Sequence, residues 1–116
     1  MAGRLTTHVL DTARGTGAAG LRVALVRHDP AGPATLAEVR LDEGGRATLL
    51  DGGALVAGRY TLTFHAADYQ RARGLDLEDP PFLEVVPVQF GVADPGAHYH
   101  VPLILSPYGY STYRGG

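Results

Sequence analysis

The chain has 116 residues, enough for one domain that buries roughly two-thirds of the surface its unfolded form exposes. It contains no cysteine, which excludes disulfide frameworks, thiolate nucleophiles and cysteine-based zinc or iron-sulfur sites and leaves only histidine and carboxylate as metal ligands. The formal net charge is -2 and the 10 Lys and Arg residues are scattered, so there is no basic stripe to neutralise phosphates and no nucleic-acid partner is expected.

The opening run MAGRLTTHVLD lacks the apolar core of a signal peptide, and no later apolar run approaches the ~20 residues that span a bilayer. A cytoplasmic chain with no membrane partner is therefore expected. The 16 glycines and 8 prolines are spread along the whole length, as punctuation between many short strands. A first strand is expected over 5–10, followed by a break over 15–20 and a second strand over 21–28, where Leu21, Val23 and Leu25 alternate with Arg22, Ala24 and Val26. Asp29-Pro30 and Gly32-Pro33 end it, and a third strand covers 34–41. Asp42-Glu43-Gly44-Gly45 reads as a hairpin turn that feeds a fourth strand over 46–50, so Arg46 begins a strand directly after a tight turn.

Residues 59–65 alternate Tyr60, Leu62 and Phe64 against Thr61, Thr63 and His65, which gives a strand with one apolar face. The only helix expected is short, over 66–74, with Gly74 as its stop. Residues 75–82 contain Asp79-Pro80-Pro81 and read as an irregular crossing before a strand over 83–92, where Pro87 marks an edge or a bulge. The clearest strand lies over 98–105, and the tail 108–116 has room for one more extended piece. About eight strands and one short helix fit two antiparallel sheets packed face to face, with a barrel as the alternative.

Alternation puts His98 and His100 on one side of their strand and Tyr99 and Val101 on the other. Two histidines on one face of an otherwise apolar strand are costly to bury without polar partners, which marks the pair as a candidate for chemistry. His8 shares a face with Thr6 and Leu10, while Thr7, Val9 and Asp11 take the other. Alone, His8 means little, and Arg46 reads as a surface cation. His28 and His65, near strand ends, read as structural or solvent-exposed. His8, His98 and His100 would together supply three nitrogens for a catalytic zinc, but nothing in their spacing requires one, and neither a metal nor another cofactor is expected.

Three segments carry a resemblance: Leu5-Thr6-Thr7-His8-Val9-Leu10-Asp11, the turn from Asp42 to Arg46, and the long run HYHVPLILSPYGYSTYRGG from His98 to Gly116. Together they resemble the 5-hydroxyisourate hydrolases, transthyretin-like enzymes of urate breakdown. The resemblance runs from end to end and implies a single transthyretin-like (prealbumin-like) domain over 1–116, an all-β two-sheet sandwich of about eight strands with one short helix. It implies a homotetramer, a dimer of dimers whose central channel holds the active sites, and hydrolysis of 5-hydroxyisourate to 2-oxo-4-hydroxy-4-carboxy-5-ureidoimidazoline. It assigns the catalytic group to His8, Arg46 and His100 and substrate binding to Tyr113, with Ser111 and Arg114 nearby and His98 in support. The family usually ends Tyr-Arg-Gly-Ser, whereas this chain ends Tyr113-Arg114-Gly115-Gly116, so altered hydrogen bonding at the last position is expected without loss of function.

In the implied reaction water attacks a carbonyl carbon while negative charge gathers on oxygen. A neutral imidazole, with an unperturbed pKa near ~6.5, suits the proton transfer, and the choice of base between His8 and His100 stays open. Arg46 offers a permanently charged fork of donors for the carbonyl edge and the oxyanion. The rival reading is a carrier of apolar small molecules on the same architecture, which would gain nothing from histidines desolvated in its channel. An immunoglobulin-like adhesion domain would leave the three residues unlinked.

Overall fold

The computed structural model describes residues 2–116. Strands β1 (Arg4–Asp11), β2 (Thr16–Gly17), β3 (Arg22–Asp29), β4 (Gly32–Arg40), β5 (Arg46–Leu50) and β6 (Gly58–Phe64) precede helix α1 (Ala66–Ala72). After the helix come β7 (Val86–Val92), β8 (His98–Ser106) and β9 (Gly109–Thr112). The result is a sandwich of two sheets with one short helix, in nine strands when the two-residue β2 is counted. No helix among the described residues is long and apolar enough to cross a membrane.

The first sheet is organised around β1. On one side β1 runs parallel to β8, in register from Arg4 opposite His98 to Asp11 opposite Leu105. On its other side it pairs antiparallel with β5 over Leu5 to His8 and with β2 over Leu10 and Asp11. β9 folds back on β8 to form the far edge. The second sheet has the order β4-β3-β6-β7, antiparallel throughout.

Two purely antiparallel sheets were the expectation, and the parallel pair β1–β8 corrects it. These strands are not joined by a short turn, so hairpin geometry does not impose an antiparallel order on them. A second correction concerns residues 42–45, which do make a tight turn but not a hairpin. β4 belongs to one sheet and β5 to the other, so the turn carries the chain between layers. Gly32-Pro33 opens β4 instead of ending its predecessor, which an edge strand tolerates because it has a side with no amide ladder to satisfy. Pro87 likewise lies on an edge, since β7 pairs only with β6. β2 lies inside the segment read as a break; it is a backbone pairing of two residues with no alternation to announce it.

Period-two alternation then decides which face of each strand is buried. Leu5 and Val9 from β1 and Tyr99, Val101, Leu103 and Leu105 from β8 point into the sandwich, where they meet Val23, Leu25, Tyr60, Leu62, Phe64 and Val86 from the second sheet. The same alternation turns Arg4, Thr6 and His8, with His98 and His100, to the outer face of the first sheet. The loop before β8 is fixed by the Tyr99 hydroxyl, which accepts the amides of Ala93 at 3.1 Å and Asp94 at 3.0 Å.

Helix α1 closes one end of the sandwich. Gly74 donates to the Arg71 carbonyl and Leu75 to that of Gln70, which satisfies the last turn. The Tyr69 hydroxyl donates to Asp11 Oδ2 at 2.7 Å while Asp11 Oδ1 accepts the amides of Ala13 and Arg14, so one buried carboxylate ties helix, β1 and the following turn together. Tyr69→Phe is expected to lower stability by about 1–3 kcal/mol, read as a lower urea midpoint at unchanged slope, because it leaves a buried charged acceptor one partner short.

Candidate active site

The outer face of the first sheet is a small lattice in which neighbouring strands lie about 4.8 Å apart. Strand register fixes its rows: Arg46 beside His8, Thr48 beside Thr6 and then His100, and Arg4 beside His98. A cleft of about 440 Å³ on this face is lined by Arg4, Thr6, Asp42, Arg46, His98, His100 and Gly116. His8, half-buried, sits opposite Arg46 in the register and is not among the residues that line the cleft. The structure thus gathers His8, Arg46, His98 and His100 from three strands that are remote in sequence.

Thr6 joins the two histidines of β8. Its Oγ1 lies 2.8 Å from Nε2 of His98 and 2.8 Å from Nδ1 of His100. The two rings are tilted against each other at 54° with centroids 6.2 Å apart. Both His8 and His100 are held below the ordinary histidine pKa. For His100 the largest cause is burial, followed by the charges of His98, His8 and Arg46. For His8 it is burial and then the Arg46 guanidinium, opposed by the Gly44 backbone and the Asp42 carboxylate. Two imidazoles biased toward the neutral form therefore sit beside a fixed cation. No group of three or more histidine or carboxylate side chains among the described residues is arranged to hold a metal ion.

Arg46 owes its place to the sheet-switching turn. Asp42 Oδ1 accepts the amides of Gly44 at 2.9 Å and Arg46 at 3.0 Å, and the Asp42 amide donates to the Arg46 carbonyl at 3.0 Å. Gly45 has φ 77°, and its carbonyl accepts the Val9 amide at 2.9 Å. A Cβ there would stand 2.6 Å from the Ala18 nitrogen and 2.7 Å from the Val9 oxygen, so no other residue lets the turn close on β1 and deliver Arg46 beside His8.

The tail reaches the cleft through its last two residues. The Gly115 amide donates to the His100 carbonyl at 2.8 Å, and a Cβ at 115 would stand 2.5 Å from Cδ2 of the His100 ring. Gly115 therefore lies flat against the imidazole. Tyr113 and Arg114 go elsewhere within the single chain: with Phe90, Tyr99 and Val101 they line a second cleft of about 310 Å³, and the Arg114 guanidinium stacks 4.0 Å from the Tyr99 ring centroid. Ser111 is exposed on β9 opposite Ile104. Sequence reasoning missed Thr6 and Gly115. Thr6 shares the face of His8, but its contact with His100 depends on the β1–β8 register, and Gly115 matters through a clash that only coordinates reveal.

The model of the HIUase/Transthyretin family matches residues 5–115. The chain belongs to the HIUase/transthyretin family. It is 53% identical over 115 residues to 5-hydroxyisourate hydrolase 2 of Rhizobium meliloti, covering 97% of this chain and 96% of that one. Its structure is similar to that of Klebsiella pneumoniae 5-hydroxyisourate hydrolase, with a TM-score of 0.83 at 33% identity over 98% of this chain and 99% of the other. It is also similar to sea bream transthyretin in complex with thyroxine, with a TM-score of 0.86 at 27% identity over 96% and 93% of the two chains. The expected sandwich is thus the observed one, and the proteins it is similar to include both 5-hydroxyisourate hydrolases and a transthyretin.

Gly115→Ala is expected to push the His100 ring out of its present position. The measurement is the His100 ring resonances by NMR, which should shift while those of the remote His28 stay put.

Proposed function

We propose that the chain hydrolyses 5-hydroxyisourate to 2-oxo-4-hydroxy-4-carboxy-5-ureidoimidazoline in urate degradation, with His8, Arg46 and His100 as the catalytic group. The observation that carries this reading is the polar outer-face cleft, where Arg46 and the neutral-biased His100 meet and His8, likewise biased toward neutrality, stands next to Arg46 in the sheet, in a member of the hydrolase-containing family. An imidazole takes one proton from water as its oxygen bonds the substrate carbonyl carbon, and Arg46 faces the oxygen that gathers negative charge. When the ring carbon–nitrogen bond breaks, the imidazolium returns that proton to the departing nitrogen. Oxygen, proton and electron pair are then accounted for without a cofactor.

The carrier reading draws on the likeness to transthyretin and fails on the lining. Arg4, Thr6, Arg46, His98 and His100 would each have to lose water to an apolar guest.

The same proposal includes a homotetramer, a dimer of dimers with the cleft facing a shared channel. Its support is what the single chain leaves uncovered: β7 and β9 are free sheet edges, and Tyr108 and Tyr113 are 69% and 57% exposed. Tyr113, with Ser111 and Arg114, is assigned to substrate binding in that assembly, and His98 supports His100.

The test generates 5-hydroxyisourate freshly from urate with urate oxidase and follows its ultraviolet decay against the spontaneous rate. The chain is expected to accelerate the decay, and the rate should be indifferent to chelators. His100→Ala and Arg46→Ala should each lower kcat/KM by about 10²–10⁴-fold, the scale of general-base and oxyanion contributions. An unaccelerated decay overturns the proposal.

The pH profile follows from the direction of the two shifts. Because His8 and His100 are both held below 6.5, they stay neutral to lower pH than free imidazole. Activity should therefore fall on acidification with a midpoint below 6.5, and the protonation that ends it should also destabilise the fold, since the unfolded chain binds those protons more readily.

A further inference from the structure

Thr6 is the best-buried polar residue on the outer face of β1, 7% exposed, and it touches two ring nitrogens at once. A threonine hydroxyl has a single proton and two lone pairs. It therefore cannot donate to both rings, and at least one histidine must donate to it. If both rings donate, the buried hydroxyl proton is turned away from both nitrogens. Two complementary arrangements remain, and they leave His100 in opposite tautomers.

In the first, Nδ1–H of His100 donates to Thr6 Oγ1, whose own proton goes to Nε2 of His98. His100 is then left with a bare lone pair on Nε2. In the second, the hydroxyl donates to Nδ1 of His100, the proton of that ring sits on Nε2, and His98 donates from its own Nε2. The cleft itself discriminates between them. Arg4, Arg46, Asp42 and Gly116 all line it, two guanidinium groups against one side-chain carboxylate, so an outward N–H on His100 would add a donor to a surface where side-chain donors already outnumber the acceptors. A lone pair there faces the cations favourably.

We infer that Thr6 is a positioning residue that fixes the tautomer of His100, holding the proton on Nδ1 and presenting Nε2 as the acceptor, with His98 as the anchor that takes the hydroxyl proton. This rests on the proposed function for its catalytic meaning: only the first arrangement lets His100 remove a proton from water without first changing tautomer. It also gives His98 a task that needs no contact with substrate. Removing either Thr6 or His98 frees the other members to reverse.

The experiment reads the tautomer directly, by long-range ¹H–¹⁵N correlation of the imidazole rings in the substrate-free protein, for the wild type, Thr6→Val and Thr6→Ser. In the wild type His100 and His98 should both carry their proton on Nδ1. Thr6→Ser should preserve that signature and the rate. Thr6→Val should shift His100 toward the Nε2–H form and lower kcat by about ten- to a hundredfold, a part of what a general base supplies, with KM within about twofold. A wild-type His100 protonated on Nε2 overturns the inference, as does a Thr6→Val protein that loses activity with the His100 tautomer unchanged. Should Thr6→Val fail to fold, the wild-type and Thr6→Ser spectra decide the matter. If the wild type does not hydrolyse 5-hydroxyisourate, the proposed function falls, and the ring spectra still decide the tautomer.

Discussion

The parallel pairing of β1 with β8 is the constraint on which the rest of the molecule depends. It sets Thr6 beside His100 and Arg4 beside His98, and because β1 also pairs with β5, it sets His8 beside Arg46. A slip of one residue would turn every side chain of β1 to the opposite face, exposing Leu5 and Val9 and burying His8. The register is therefore held by the core, and the core's demand for apolar residues on one face is what aligns the polar ones on the other. Thr7 adds a local lock, its hydroxyl donating to the Val101 carbonyl at 2.7 Å.

Much of this was legible in the sequence, and the parts that were not share a cause. Alternation located every long strand within a few residues and assigned His98 and His100 to one face and Tyr99 to the other, because a half-buried strand writes its two environments directly into its residue types. The Asp42-to-Arg46 turn was visible as chemistry but not as topology: a glycine-rich turn looks the same whether it joins partners in one sheet or crosses between two. Partnership between strands is likewise silent in a single sequence, so the parallel order of β1 and β8 went unseen. The catalytic trio was proposed from resemblance alone; taken singly, His8 and Arg46 look ordinary, and they acquire meaning only through register. Thr6 was placed on the correct face and passed over, since a threonine in a strand is commonplace.

The outer cleft is built almost wholly on sheet, and its parts outside the strands are a turn and a tail that are themselves bonded down. Asp42 secures the turn through two backbone amides, and Gly115 secures the tail through one. Side chains on such a frame keep their spacing, which suits recognition by donors and acceptors set at fixed intervals. Among the described residues every buried side-chain nitrogen and oxygen has a hydrogen-bond partner, so the polar cluster does not carry an unsatisfied group into the core.

Thr6 and His100 lie 94 positions apart in the chain. During synthesis, β1 emerges from the ribosome long before the strand that completes its sheet, at roughly 5–20 residues per second. For those seconds its apolar stripe has only short-range partners, and a topology dominated by such distant pairings folds slowly once the chain is complete. The arrangement that brings the first strand and the last long one together thus makes the polar cluster around Thr6 one of the last features of the protein to form.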